Sequence, residues 1–439
     1  MTPDLTTRDR TSAVARARVA VMVSFLLSGL LTATFGSRLV LIRQSLHVSP
    51  AGMGLLLLVI TAGSIATMPL MGHLIERFGE VKLIRVTATV AWLALIFSAY
   101  CASQGWAWLM IVPLFFQGAG VGAWDVAQNL AGSRVEQGLG RSIMPQFHAS
   151  FSLATLLGAG VGWVFSHSGA PLMAHIGTVA AVGLIVIQWC VTWLLPPLHG
   201  DGTAPAAVQP TKPAERSAWL EPRTLLIGVV MLSVSLTEGS ANDWITSAVV
   251  QSFNTPETVG IVGLGIFLAA MTTMRLLGTR LIDRWGRVLT LRLCAVAAIV
   301  GLLCFGFGQQ LWLVMVGAAI WGLGAALGFP VGISAASDDP LRAARRTAVV
   351  STIAYLAFLG GPPLLGLVAG HIGFRNALLL ILIPAVAALA LAGRTAPLDP
   401  ATPLRSAQDD GKRDAQDDGK RDVQDDGKRD VQDDGKRDD

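Results

Sequence analysis

Charge is what this chain has least of. Only 14% of its 439 residues are Asp, Glu, Lys or Arg, and 52% are hydrophobic, where a soluble domain carries about 25% charge. A soluble globular chain is therefore excluded. Period-two alternation is missing as well. The apolar residues form continuous runs of about 20, enough to cross about 30 Å of hydrocarbon as a helix, and this excludes a lipid-facing β-barrel. The four cysteines, Cys101, Cys190, Cys294 and Cys304, lie in or at apolar segments with no CxxC or metal-ligand spacing. They read as small packing residues, with no disulfide or zinc site. There is no nucleotide-binding loop. The stretch Gly158-Ala159-Gly160-Val161-Gly162 lies inside an apolar run, where close helix packing explains it. No nucleophile–base set stands out. An enzyme is not expected, nor is a cofactor, a metal or a nucleic-acid partner.

What is present is a duplication. Residues 73–81 read His-Leu-Ile-Glu-Arg-Phe-Gly-Glu-Val and residues 280–288 read Arg-Leu-Ile-Asp-Arg-Trp-Gly-Arg-Val, an offset of 207 (280 minus 73). Each copy is a short charged turn between two membrane-length runs, so the chain divides into two like halves. Twelve spans are expected: 19–42, 51–73, 83–102, 107–131, 144–166, 174–195, 224–249, 258–279, 289–308, 311–334, 347–369 and 375–393. The fold class is an all-α membrane protein of twelve transmembrane helices in two six-helix repeats. The expected organisation is a cytoplasmic N-terminus at 1–18, a first half at 19–195, a proline-bearing cytoplasmic linker at 196–223, a second half at 224–393 and a disordered tail at 394–439. The tail repeats Gln-Asp-Asp-Gly-Lys-Arg-Asp and has no apolar face with which to bury a core.

The distribution of Lys and Arg orients the bundle. With the N-terminus inside, nineteen of these residues fall on inner segments, from Arg8 to Arg346, and three fall outside: Arg38, Arg43 and Arg375. Both termini are then cytoplasmic, in a bacterial plasma membrane.

Six plus six helices, a central inner loop and charged turns after spans two and eight resemble the major facilitator superfamily. Its turn pattern stands here as Gly72-His73-Leu74-Ile75-Glu76-Arg77-Phe78-Gly79-Glu80-Val81-Lys82 and Leu281-Ile282-Asp283-Arg284-Trp285-Gly286-Arg287. In the first copy, Glu76 replaces the usual Asp and Glu80 a basic residue. Three further stretches are similar to the fucose-permease-like branch: Phe35-Gly36-Ser37-Arg38, Asp125-Val126-Ala127-Gln128-Asn129 and Glu238-Gly239-Ser240-Ala241-Asn242-Asp243-Trp244. That resemblance implies proton-coupled uptake of a sugar or similar polar solute. The branch carries acidic groups in spans one and four; span one here has none.

Ionisable groups within the membrane are costly and point to function. Asp125 lies nine residues before Arg134, so about 13 Å deep at 1.5 Å per residue. Asn129 shares its helical face, with Gln128 beside it. Glu238 lies fifteen residues after Arg223, about 22 Å up its span and so in the outer half; Asn242 shares its face. Asp125 and Glu238 are the proton-coupling candidates. With Gln128, Asn129, Asn242 and Trp244 they are also the substrate-binding candidates, the tryptophan as a surface on which a sugar could stack. Arg38 and Asp243 each lie twenty residues beyond an inner arginine, at the outer rim, and are expected to pair as a latch when the outer side closes. Glu76, Arg77, Asp283 and Arg284 in the two turns are expected to gate the inner side, through contacts to arginines and to a neighbouring helix N-terminus.

The expected function is a secondary transporter that moves a sugar-like solute with protons by alternating access, with membrane lipids as its surroundings and a monomer as its working form. Two alternatives stay open: a drug or metabolite efflux pump of the same fold, and a non-transporting membrane sensor or scaffold whose working part is the tail.

Overall fold

The structure is a computed structural model; it describes residues 7–48, 50–195 and 217–398. Most of the expected linker and tail thus lies outside the described residues. Within them the chain is helical. The first half comprises α1 (Thr7–Gly36), α2 (Leu39–Ser45), α3 (Pro50–Phe78), α4 (Glu80–Ser103), α5 (Ile111–Leu139), α6 (Met144–His167) and α7 (Leu172–Cys190). The second comprises α8 (Pro222–Phe253), α9 (Glu257–Phe307), α10 (Leu311–Ala325), α11 (Gly328–Ala336), α12 (Ala343–Ile372), α13 (Phe374–Leu378) and α14 (Leu382–Leu391).

Among the described residues, ten helical stretches are long and apolar enough to cross a membrane. One of these, Val259–Phe307, is two crossings in series, because α9 turns at Gly286 (φ 76°, ψ 165°). α5 is a further crossing, diluted below that apolar threshold by its own Gln, Asp, Asn and Glu residues. The total is twelve. Gly79 holds φ 76° and ψ 151°, so the two copies of the charged turn share one backbone shape. A Cβ is strained at positive φ, which explains a glycine in both.

The buried apolar side chains form two clusters. One fills the first half and reaches into α8, α11 and α12; the other fills the second half. The outward faces carry apolar residues into the surroundings: Leu156 is 70% exposed, Ile185 72%, Leu367 70% and Ile383 72%. In a polar solvent these faces would be an aggregation surface; in lipid they are the natural exterior.

Within the first half, α3 and α5 approach until their backbones touch. A Cβ on Gly118 would collide with the Ile60 carbonyl, and one on Gly122 with Ser64. The Ser64 hydroxyl donates to the Gly118 carbonyl at 2.8 Å and Thr67 to the Ala119 carbonyl at 3.1 Å. Small residues and hydroxyls thus replace a hydrophobic drive that lipid cannot supply. Gly118→Val is expected to cost about 3 kcal/mol through overpacking, seen as a lower thermal unfolding midpoint in detergent.

Candidate functional site

The two glycine turns mark one end of the bundle, here called the turn face; the opposite end is the far face. On α5, Asp125, Asn129, Ser133 and Glu136 recur at spacings of four, four and three residues, which lines them up along one side of the helix. That stripe faces the second half. Sequence reasoning found its upper part and missed its lower part, although the periodicity was there to be read.

At the turn face the stripe bolts the halves together. Ser133 donates to Ser337 at 2.5 Å, and the Gln137 amide to the Ser337 carbonyl at 2.7 Å. Ser334 donates to Glu136 Oε1 at 2.6 Å, while Glu136 Oε2 accepts the Ile143 and Met144 backbone N–H groups at 2.8 Å each. Arg287 stands between the halves, 2.6 Å from Asp338 in its own half and 3.9 Å from Glu136 in the other. Glu76 takes a two-pronged grip from Arg345, at 2.7 and 2.8 Å. Asp283 accepts the Ser142 N–H at 3.2 Å, at the start of α6. Arg77 and Arg284, the other two turn residues expected to gate, are exposed; Arg77 lies over the Phe78 ring.

The turns also lock to the fourth and tenth spans, with opposite polarity. In the first half Glu80, 5% exposed, pairs with Arg134 on α5. In the second half the residue 207 positions on, Arg287, pairs with Asp338, just beyond α11. Glu80 is thus an exchange of sign matched by its partner. Glu80→Ala is expected to destabilise by about 3 kcal/mol, because the Arg134 guanidinium, 13% exposed, loses its carboxylate. Glu80→Arg combined with Arg134→Glu should recover most of that loss in thermal unfolding.

Above the bolt lies a polar floor built from both halves. Asp125 and Glu238 sit at the midpoints of α5 (Ile111–Leu139) and α8 (Pro222–Phe253). Glu238 was expected in the outer half of its span; along the 32 residues of α8 it stands at the middle, paired with Arg275, which precedes the turn at Gly286 on α9. Asp125 Oδ1 accepts from the Asn129 amide at 3.1 Å and the Gln128 amide at 3.4 Å. The Tyr355 phenol of α12 approaches the same carboxylate from the second half, and Oδ2 is buried with no partner of hydrogen-bond geometry. Asn129 Oδ1 meets His148 Nε2 at 3.2 Å. The His148 ring packs between Phe25 and, across the halves, Phe329.

One turn along α6 from His148, the Ser152 hydroxyl accepts from Arg275 at 2.7 Å, and the same guanidinium donates to Glu238 at 2.9 Å. Arg275 Nε donates to the Ala326 carbonyl at 3.2 Å, a carbonyl freed where α10 gives way to α11. The break in the tenth span thus supplies a ligand for a buried cation. His148 and Tyr355 were not among the expected site residues. Tyr355 is one of only two tyrosines in the chain, and that scarcity within a span is the signal for it.

The other expected site residues divide between packing positions and exposed ones. Gln128, 1% exposed, spends its amide on α1, accepting from Ser24 at 2.9 Å and donating to Ser28 at 3.3 Å. It pins α5 to α1. Trp244 stacks on Phe374 with centroids 5.0 Å apart and lies against Gly366, inside the second half. Asn242 is exposed, one turn beyond Glu238. Asp243 is exposed ten residues before the end of α8, short of the rim. Arg38 is buried and donates to the Ala170 carbonyl at 2.8 Å in its own half. Among the described residues no ion pair joins Arg38 to Asp243. Nor does any side-chain hydrogen bond or ion pair join the halves on the far side of Asp125, Tyr355 and Arg275. Among the described residues, the side-chain ties between the halves lie at this floor and on its turn-face side.

Two like halves in lipid, meeting at a polar floor and fastened at one end, define a multi-pass membrane transporter. The Major Facilitator Superfamily model matches residues 21–247 and 224–423, and the chain belongs to that family. It is 31% identical over 355 residues to Uncharacterized transporter y4wD of Sinorhizobium fredii, covering 80% of this chain and 90% of the relative. Membrane protein MosC of Rhizobium meliloti is 26% identical over 367 residues, covering 83% and 86%. Among solved structures, the transporter FucP in its outward conformation overlays with TM-score 0.74 at 14% identity, covering 88% of this chain and all of that one. The proton:xylose symporter XylE overlays with TM-score 0.73 at 13% identity, covering 88% and 96%. At such identities these two overlays establish the shared fold.

Proposed function

We propose that this transporter moves a small polar, sugar-like solute together with protons, binding it between the halves above the polar floor. One observation carries the reading. The carboxylates Glu80, Glu136, Glu238 and Asp338 each lie against an arginine; Asp125 is held by amides and a phenol alone. A mid-membrane carboxylate without a counter-charge is the group that a proton neutralises. Asp125 is thus the protonation site. Tyr355, the second oxygen of Glu238 and Asn242 offer hydrogen bonds to hydroxyls, and Asn129 and His148 hold Asp125 in place. Glu238, already neutralised by Arg275, serves the solute rather than the proton.

Lys and Arg crowd the turn face, which is therefore cytoplasmic, with both termini on that side of a bacterial plasma membrane. The structure then corresponds to the state open to the outside. Release inward requires the Glu76–Arg345, Glu136–Ser334 and Asp283–Ser142 contacts to part while the far face closes. That sugar:proton symporters share the fold is in keeping with this reading.

Proteoliposomes adsorbed on a solid-supported electrode and challenged with sugars, sugar acids and amino acids test it. A solute-dependent current in the wild-type chain supports coupled transport and names the solute class. Silence with correctly inserted protein, together with extrusion of apolar dyes, would replace it with efflux.

A further inference from the structure

The far face of the first half holds a cavity of about 330 Å³, lined by Ser37, Arg38, Leu41, Gln44, Ser166 and Ala170. It lies where α1 breaks into α2 and where α6 turns into α7. Arg38 is 4% exposed; its guanidinium donates to the Ala170 carbonyl and leaves Nε buried without a hydrogen-bond partner. The neighbouring His175 is also buried, with neither ring nitrogen hydrogen-bonded. A buried cation without a counter-charge is costly, and this half cannot supply one. No Asp or Glu occurs between Asp9 and Glu76, or between Glu136 and Asp201. The carboxylates of the described first half lie elsewhere: Asp9 in the first turn of α1, Glu76, Glu80 and Glu136 at the turn face, and Asp125 at the middle of α5. Trp163, one turn before Ser166 and 65% exposed, and Trp108, 75% exposed, mark the interfacial level of this face.

We propose that this cavity binds an anionic phosphate-type group, with Arg38 as its counter-charge and Ser37, Gln44 and Ser166 as hydrogen-bonding partners. Two sources share that chemistry, the headgroup of an anionic membrane lipid and a soluble phosphate. The site is independent of the transported solute and of Asp125.

Binding to the purified, delipidated full-length chain decides the matter. Native mass spectrometry would measure retention of phosphatidylglycerol against phosphatidylcholine, and thermal unfolding would follow a titration with inorganic phosphate. Wild-type protein is expected to retain phosphatidylglycerol. Arg38→Gln should weaken it on the order of tenfold, the loss of one charge-assisted contact, and Arg38→Lys should weaken it less. A phosphate-induced rise in the unfolding midpoint that Arg38→Gln removes, with no lipid preference, assigns the site to the soluble anion. Equal behaviour of wild type and Arg38→Gln with both probes overturns the proposal. So does the same loss in Asp243→Asn, which would make Asp243 the counter-charge. Should Arg38→Gln fail to fold, Gln44→Glu places a carboxylate inside the cavity. That variant is expected to fold and to lose the anion; full retention overturns the proposal.

Discussion

Asp125→Asn is expected to abolish the solute-driven proton current while solute exchange across the membrane persists within about tenfold of wild type. Asparagine keeps the size of the side chain and an oxygen that can accept from Asn129, which sits 3.1 Å from Oδ1. It cannot take up and release a proton. The amide therefore imitates one protonation state permanently, and a carrier fixed in one state can exchange solute for solute without net coupling. The measurement pairs currents on a solid-supported membrane with counterflow of labelled solute in the same proteoliposomes. A full current in the variant would remove Asp125 from the coupling step. Loss of both signals in a folded variant would make it a solute ligand first.

Arg275→Leu is expected to be the most destabilising single change in the floor. It strips the cation from Glu238, whose side chain keeps only 20% exposure, and it orphans the Ala326 carbonyl and the Ser152 hydroxyl. Breaking a buried pair by removing one partner costs about 3–5 kcal/mol; the residual exposure of Glu238 argues for the lower end. Arg275→Leu with Glu238→Leu should recover part of the loss, because the uncompensated charge is then gone. Thermal unfolding of the three proteins reads this out, and a double variant no more stable than the single one would deny the coupling. The pair also matters for movement: Arg275 reaches Ser152 in one half and Glu238 in the other, so a rocking motion has to exchange these partners.

Much of this was legible along the chain because the membrane makes simple demands. Hydrocarbon thickness sets span length, and backbone satisfaction enforces helix. The twelve crossings follow, including α5, whose polar stripe dilutes its hydropathy. The turn copies 207 residues apart gave the two halves, and their shared glycine conformation gave the reason for the match. Counting 1.5 Å per residue from Arg134 placed Asp125 at the middle of α5, because Arg134 pairs with Glu80 of the turn and so marks the turn face. The count from Arg223 set Glu238 higher than its place at the middle of the 32-residue α8, whose length the sequence count had put at 26 residues, 224–249.

Contacts between helices had no such ruler. Whether Gln128 faces solute or α1 depends on how α5 is rotated against its neighbours, and the structure turns it to Ser24 and Ser28. Trp244 could have stacked on a ligand, but Phe374 takes that place. Glu80 seemed a departure from the turn pattern until Arg134 stood opposite it. Sequence by itself determined the spans, the duplication and the presence of a mid-membrane carboxylate, because each follows from local periodicity and the cost of charge in lipid. Tertiary structure alone decided which charges are neutralised, by Arg275 at Glu238 and by no cation at Asp125, because pairing across a bundle depends on distances between residues far apart in the chain.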